Sequence, residues 1–323
     1  MAQKTASWLA KIGAALCVSG ILLSAVHADN SAPVELIVPY APGGASDIIV
    51  RAMEPHLSKA LQQNVVVVNR PGANSAIAAT RLARSAPNGN VLMLADAALV
   101  LNVAVRERSP GYNVATDFSP ITQIGSAPLV LFTAASGSGD LASFMEKGKQ
   151  GTINIANAGP GSLGHLAAEL LRLRSGTNIT SVPYRGSGPA LNETLGGQVD
   201  ATFTSTASGM PLVESGQLNA LAVAAQQKIE DYPNIPTFKS AGLEGVEAIN
   251  WWGIMGPAGL DKTTSDRIAA AVREAMSQPE LQKRFAMLGI APTMRDAGEF
   301  TAMMQRELQQ WKRVVLEAGI KVD

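Results

Sequence analysis

Five loops hold the residues whose types and spacing can do chemistry. Pro39-Tyr40-Ala41-Pro42-Gly43-Gly44-Ala45-Ser46-Asp47 leads from an apolar run into a helix-like stretch. Its paired glycines permit a tight turn and a close approach of backbone to a ligand. The helix start that follows offers unpaired N–H groups and a partial positive charge, which suit an anion. Ser46 or Asp47 is the expected cap. Asn69-Arg70-Pro71-Gly72-Ala73-Asn74-Ser75 has the same setting. So does Asn157-Ala158-Gly159-Pro160-Gly161-Ser162-Leu163-Gly164-His165, which puts His165 in a first helical turn. There the positive helix end favours a neutral, hydrogen-bonding imidazole. Pro183-Tyr184-Arg185-Gly186-Ser187-Gly188 adds a ring that can close over a ligand and a guanidinium that can meet a second carboxylate. Thr204-Ser205-Thr206-Ala207-Ser208 adds small hydroxyl donors. Each loop alone is also compatible with a plain helix start, His165 with backbone capping, and Arg185 with a solvated surface charge.

The same residues argue against other chemistries. No loop has the lysine of a phosphate-binding loop. Gly159-Pro160-Gly161-Ser162-Leu163-Gly164 matches the dinucleotide pattern only formally, with proline at an awkward position and no acid at the required later strand end. Past the first thirty or so residues the only histidines are His56 and His165, and no nucleophile elbow is present. Two histidines without cysteine make a poor metal site. No cofactor and no metal are therefore expected. Formal net charge is zero, without the basic stripe that nucleic-acid binding needs.

Lys4 and Lys11 flank a short charged region, and Ile12 to Val26 is nearly all apolar or small. This is the layout of a secretory signal peptide, residues 1–28, with cleavage after Ala28. The apolar run is shorter than the roughly 20 residues of a spanning helix. The one cysteine, Cys17, lies inside it and follows Leu16, which does not suit lipidation. The mature chain then has no cysteine, and carries 24 basic against 26 acidic residues. A periplasmic location follows.

Those loops need rigid elements to position them. Val34 to Val38, Val65 to Val68 and Val91 to Ala95 read as strands, the four valines as one buried on both faces. Asp47 to Gln62 and Ala76 to Ala83 read as the helices between them. The alternation argues for a parallel sheet covered by helices. A second set follows Pro128: strands at Leu129–Phe132, Thr152–Ala156, Thr180–Tyr184, Val199–Phe203 and Leu218–Ala224, with a helix at Leu163–Arg174. Two late helices follow. Thr264–Met276 has Ser265 or Asp266 as its expected cap, and Asp296–Ala318 carries Phe300, Met304, Trp311 and Val315 toward a core. The expected division is one lobe from residues 31–126 and 252–323, and another from residues 127–251.

The order of these motifs resembles the extracytoplasmic solute receptors of tripartite tricarboxylate transporters, the Bug receptors. The resemblance spans the mature chain. It rests on Val38-Pro39-Tyr40-Ala41-Pro42-Gly43-Gly44-Ala45-Ser46-Asp47, Val68-Asn69-Arg70-Pro71-Gly72-Ala73, Ala158-Gly159-Pro160-Gly161-Ser162, His165-Leu166-Ala167-Ala168-Glu169 and Val182-Pro183-Tyr184-Arg185-Gly186. Gly196-Gly197-Gln198-Val199-Asp200, Pro236-Thr237, Trp251-Trp252-Gly253 and Pro257-Ala258-Gly259 continue it. It implies a type II periplasmic-binding-protein fold, two α/β lobes around a ligand cleft. It also implies capture of a small carboxylate by lobe closure, delivery to membrane transporter subunits, and no catalysis. In such receptors backbone amides and small hydroxyls of two glycine-rich loops hold the carboxylate. Carried here, those are Gly43, Gly44, Ala45, Ser46 and Asp47 on one side, and Ala158, Gly159, Gly161 and Ser162 on the other. Tyr40, Asn74, His165, Tyr184, Arg185, Thr204 and Ser205 complete the candidate site, and a monomer is expected. Two departures stand out: Ser181 where the family commonly has histidine, and no acid in Ala201-Thr202-Phe203-Thr204-Ser205. The second favours a plain mono- or dicarboxylate, aromatic ones included, over an amino acid. The rivals are a secreted hydrolase on a similar scaffold and a receptor that feeds a signalling sensor.

Overall fold

A computed structural model describes residues 32–106 and 109–320; the signal-peptide reading lies outside them. The first half builds as the alternation predicts: β1 (Val34–Val38), α1 (Ala45–Leu61), β2 (Val65–Asn69), α2 (Ala76–Ala83) and β3 (Val91–Asp96); a further helix that the sequence reading did not give, α3 (Ala98–Val105), follows. β1 lies between β2 and β3 and pairs parallel with both. β2 is therefore an edge strand, with Val66 42% exposed. The four-valine run was expected to be buried on both faces; only Val65 is buried, because β2 has a neighbour on one side alone.

β4 (Phe118–Ala134) is 17 residues long and joins the two halves. It is followed by α4 (Leu141–Gln150), β5 (Ile153–Asn157), α5 (Leu163–Ser175), β6 (Ile179–Pro183), α6 (Ser187–Leu195), β7 (Ala201–Ser205), α7 (Thr206–Glu214), β8 (Leu218–Val223) and β9 (Ile249–Pro257). From Phe118 to Pro128, β4 pairs antiparallel with β9; from Leu129 onward it pairs with β7 and β8. β5 lies between β6 and β7, parallel to both. The full order is β2-β1-β3-β9-β4-β7-β5-β6, with β8 and a last strand, β10 (Ala291–Arg295), also on β4. The carboxyl ends of β1 and β2 in one half, and of β5, β6 and β7 in the other, carry the predicted loops.

The chain closes with α8 (Lys262–Met276), α9 (Pro279–Met287), β10 (Ala291–Arg295) and α10 (Ala297–Ala318). α8 starts earlier than expected: its cap is Asp261, which accepts from the Thr264 N–H at 2.9 Å, rather than Ser265 or Asp266. Asp296 caps α10 through the Glu299 N–H at 2.8 Å. Phe300, Met304 and Trp311 are buried as predicted, with Val315 packed at their margin. The Phe300 ring lies against the backbone of Gly253 in β9, where a Cβ would sit 2.4 Å from it. It also meets Trp251 edge-on at 5.2 Å. Truncating such a ring to alanine costs about 3–5 kcal/mol. α10 is thus fastened to the strands that join the halves. No helix among the described residues is long and apolar enough to cross a membrane.

Candidate functional site

Gly43, at φ 92°, takes the left-handed conformation that turns β1 into α1. Gly44 is the cap residue, and no side chain caps this helix. The first helical bond runs from the Ile48 N–H to the Gly44 carbonyl at 3.0 Å. The amides of Ala45, Ser46 and Asp47 therefore precede the ladder and stay available to a ligand. The predicted capping by Ser46 or Asp47 does not occur, because both are engaged elsewhere. Ser46 Oγ accepts from Trp252 Nε1 at 3.1 Å. Asp47 accepts from the Gly43 N–H at 3.0 Å, from Arg51 Nε at 2.9 Å and from Asn69 Nδ2 at 2.9 Å. Asn69 Nδ2 also reaches the Tyr40 carbonyl at 3.0 Å, so the second loop braces the first. Burial alone would raise the Asp47 pKa; the bonds from Arg51, Gly43 and Asn69 outweigh it and bring the carboxyl down to about 2.

The loop after β5 is built alike. Gly159 and Gly161 have φ of 124° and 73°. Ser162 caps α5, its Oγ accepting from the His165 N–H at 3.2 Å. His165 Nδ1 accepts from the Gly161 N–H at 3.0 Å. Burial lowers the His165 pKa against the opposing field of Glu169, which suits the neutral acceptor that this bond needs. Asn157 Oδ1 takes the Gly159 N–H at 2.9 Å.

Both loops face one cleft of about 730 Å³. Tyr40, Gly44, Ala45 and Ser46 line it from the first half, Ala158 and Ser162 from the second. Asn74, Arg185, Thr204 and Ser205 also reach it. Six other candidates do not line it. Gly43, Gly159 and Gly161 shape the turns, while Asp47 and His165 bond backbone within their loops. Tyr184 packs beside Ala156, Ala190 and Val199. The sequence reading missed Asp96, Asn250 and Trp252, all on the cleft wall. Asp96 was within reach of it: the strand was read as ending at Ala95, one residue short of the end where parallel sheets present ligand groups. Asn250 and Trp252 come from β9, whose role in joining the halves has no local signature.

The family described as "Tripartite tricarboxylate transporter family receptor" matches residues 49–320. This chain belongs to that receptor family. The receptor is 33% identical to Protein BugT of Bordetella pertussis over 321 residues, 97% of this chain and 98% of BugT. It superposes on the periplasmic binding protein BugD with a TM-score of 0.79 and 28% identity, covering 90% of this chain and 98% of BugD. R. palustris Rpa4515 with adipate gives a TM-score of 0.81 at 27% identity, covering 90% and 98%. The receptor has the periplasmic-binding-protein fold, a mixed α/β architecture with a curled sheet.

Proposed function

We propose that this receptor captures a small mono- or dicarboxylate, aromatic ones included, and passes it unchanged to a tripartite tricarboxylate-type transporter. The observation that carries the reading is the convergence of two glycine-rich helix starts on one cleft, lined by Ala45 and Ser46, whose amides precede the helical ladder, and by Ser162. Helix starts and small hydroxyls stabilise an anion without a fixed countercharge. The adipate held by Rpa4515 supports a carboxylate ligand, and the periplasmic setting of BugD supports the same location after leader removal. Gly44, Ala45, Ser46, Ala158 and Ser162 hold the carboxylate. Gly43, Gly159, Gly161, Asp47 and His165 keep their loops in shape for it. Tyr40, Asn74, Arg185, Thr204 and Ser205 frame the rest of the ligand, with Tyr184 packed behind them. The lobes divide at residues 127 and 252, close to where β4 exchanges β9 for β7 and β8. Rotation about these crossing strands closes the cleft on a monomer. The test is a melting-temperature screen of the mature protein with a carboxylate panel, followed by mass spectrometry of the retained ligand. A raised melting temperature with ligand recovered intact is expected. Turnover of the ligand would favour the secreted-hydrolase alternative and overturn the receptor reading.

A further inference from the structure

One charged group on the cleft wall is not used by the helix-start argument. Asp96 ends β3, lines the cleft and is 5% exposed. It is the only carboxylate on that wall among the described residues, as Arg185 is the only cation. The two come from opposite halves, Asp96 from β3 and Arg185 from the loop after β6. Asp96 Oδ2 accepts from the Tyr40 hydroxyl at 2.6 Å, and Oδ1 from the Ala98 N–H at 3.2 Å. A carboxylate has about four lone-pair sites, so two donors leave acceptor capacity. No lysine, arginine or histidine among the described residues pairs with it.

The ionisable surroundings give that negative charge little relief. The Tyr40 hydroxyl supports it by donating a hydrogen bond, whereas the charge of Glu307 on α10, when ionised, opposes that of Asp96. Burial raises the Asp96 pKa to about 6, with the bonds from Tyr40 and Ala98 pulling the other way. A ligand that brings a second bare carboxylate or an apolar carbon to Asp96 leaves a buried anion opposed or unpaired. Either the complex weakens or a proton must be taken up. A ligand with an O–H or N–H there makes a charge-assisted hydrogen bond instead.

We infer that Asp96 is the specificity-determining group of the cleft, selecting carboxylates that carry a hydroxyl or ammonium donor over their plain counterparts. This rests on the carboxylate reading above and narrows it. The acid missing after β7 is supplied by β3, so the sequence-based preference for plain acids reverses.

The test is isothermal titration of the mature receptor with matched probes: propionate and lactate, succinate with malate and aspartate, glutarate and glutamate, benzoate and salicylate. Sites built to bond a ligand donor reject analogues that lack it. Near pH 8, the donor-bearing member of each binding set should bind tenfold or more tighter. Near pH 6, as Asp96 takes up a proton, the plain member should gain and the gap should narrow. Asp96→Asn, which can donate to a plain carboxylate, should abolish the preference at both pH values. Equal affinity of plain and donor-bearing members of the wild type at both pH values overturns the role of Asp96 and leaves the carboxylate reading standing. Failure of every probe to bind overturns both. Hydroxy acids winning over amino acids, or the reverse, identifies which donor the site takes.

Discussion

Single residues here serve two structures at once, and Ser162 is the clearest case. Its Oγ caps α5 and it also lines the cleft. Ser162→Ala should cost about 1 kcal/mol of stability through the lost cap. It should weaken carboxylate binding by about 1–3 kcal/mol if the hydroxyl donates to the ligand. Denaturant unfolding and titration separate the two, and Ser162→Thr should restore both. An Ala variant with lower stability but unchanged affinity would leave the hydroxyl a cap alone. Asp47 answers the opposite question. Its folded pKa is depressed from the ordinary 3.8 to about 2 by Arg51, Gly43 and Asn69. It therefore contributes stability that is present above pH 4 and is lost as pH falls toward 2. Asp47→Asn should remove about 1–3 kcal/mol at neutral pH and flatten the acid limb of the unfolding curve. The sequence put both residues in the right loops. It did not show which of them face the cleft, because side-chain direction inside a loop depends on partners such as Asn69, Arg51 and Trp252 from distant positions.

At the scale of elements, the loops and their flanking strands and helices were legible because glycine, proline and apolar periodicity are local signals. β4 was legible only at Leu129–Phe132, since Pro120, Gly125 and Pro128 punctuate its first part like turns. The strand absorbs them with register shifts between Pro120 and Thr122 and between Gln123 and Gly125. α10 was predicted in full, yet its most consequential contact was hidden. Glu307 accepts from the indole N–H groups of both Trp251 and Trp311, which binds α10 to β9. Trp251 and Trp252 are neighbours on a strand, so they face opposite sides. Trp252 lies on the cleft; Trp251 and Glu307 line a separate recess of about 260 Å³ behind the joining strands. Burial raises the Glu307 pKa to about 7, against the opposing effect of the two indole bonds. A carboxyl whose folded pKa is raised binds its proton more readily when folded. Stability should therefore rise as pH falls from about 7 toward the ordinary carboxyl value of 4.5. Asp96 adds a trend of the same sign. Glu307→Gln, which keeps an acceptor without a charge, should remove part of that slope. Melting temperatures measured between those limits check it, and a slope identical to wild type would show that Glu307 carries its charge without cost.

For the whole molecule, the strand–helix alternation was enough to read two α/β halves, but not how they meet. Their contacts join residues far apart in sequence, which no local pattern encodes. Two of them use glycine. A Cβ on Gly161 would lie 2.9 Å from Val105 of α3, and one on Gly289 would lie 1.8 Å from Thr206 Oγ1 at the start of α7. Leu288, next to Gly289, lines the cleft, so this contact sits beside the ligand. Gly289→Ala should act as a wedge, holding the halves apart and reducing ligand affinity. Closure that must work against a 1.4 kcal/mol penalty loses about tenfold in affinity. Gly289 also has φ of 61°, where any other residue costs about 1–2 kcal/mol by itself. The double variant Gly289→Ala/Thr206→Gly separates the two causes. Removing the Thr206 side chain, whose Oγ1 and Cβ would lie 1.8 and 2.9 Å from the new Cβ, relieves the wedge but leaves the backbone strain at position 289. Affinity restored in the double variant, with stability still lowered, is the outcome expected if the halves close against each other at this point. Small-angle scattering should then show ligand-dependent compaction in the wild type and the double variant but not in Gly289→Ala. If the double variant binds as weakly as the single one, backbone strain accounts for the loss, and closure does not depend on the fit between Gly289 and Thr206.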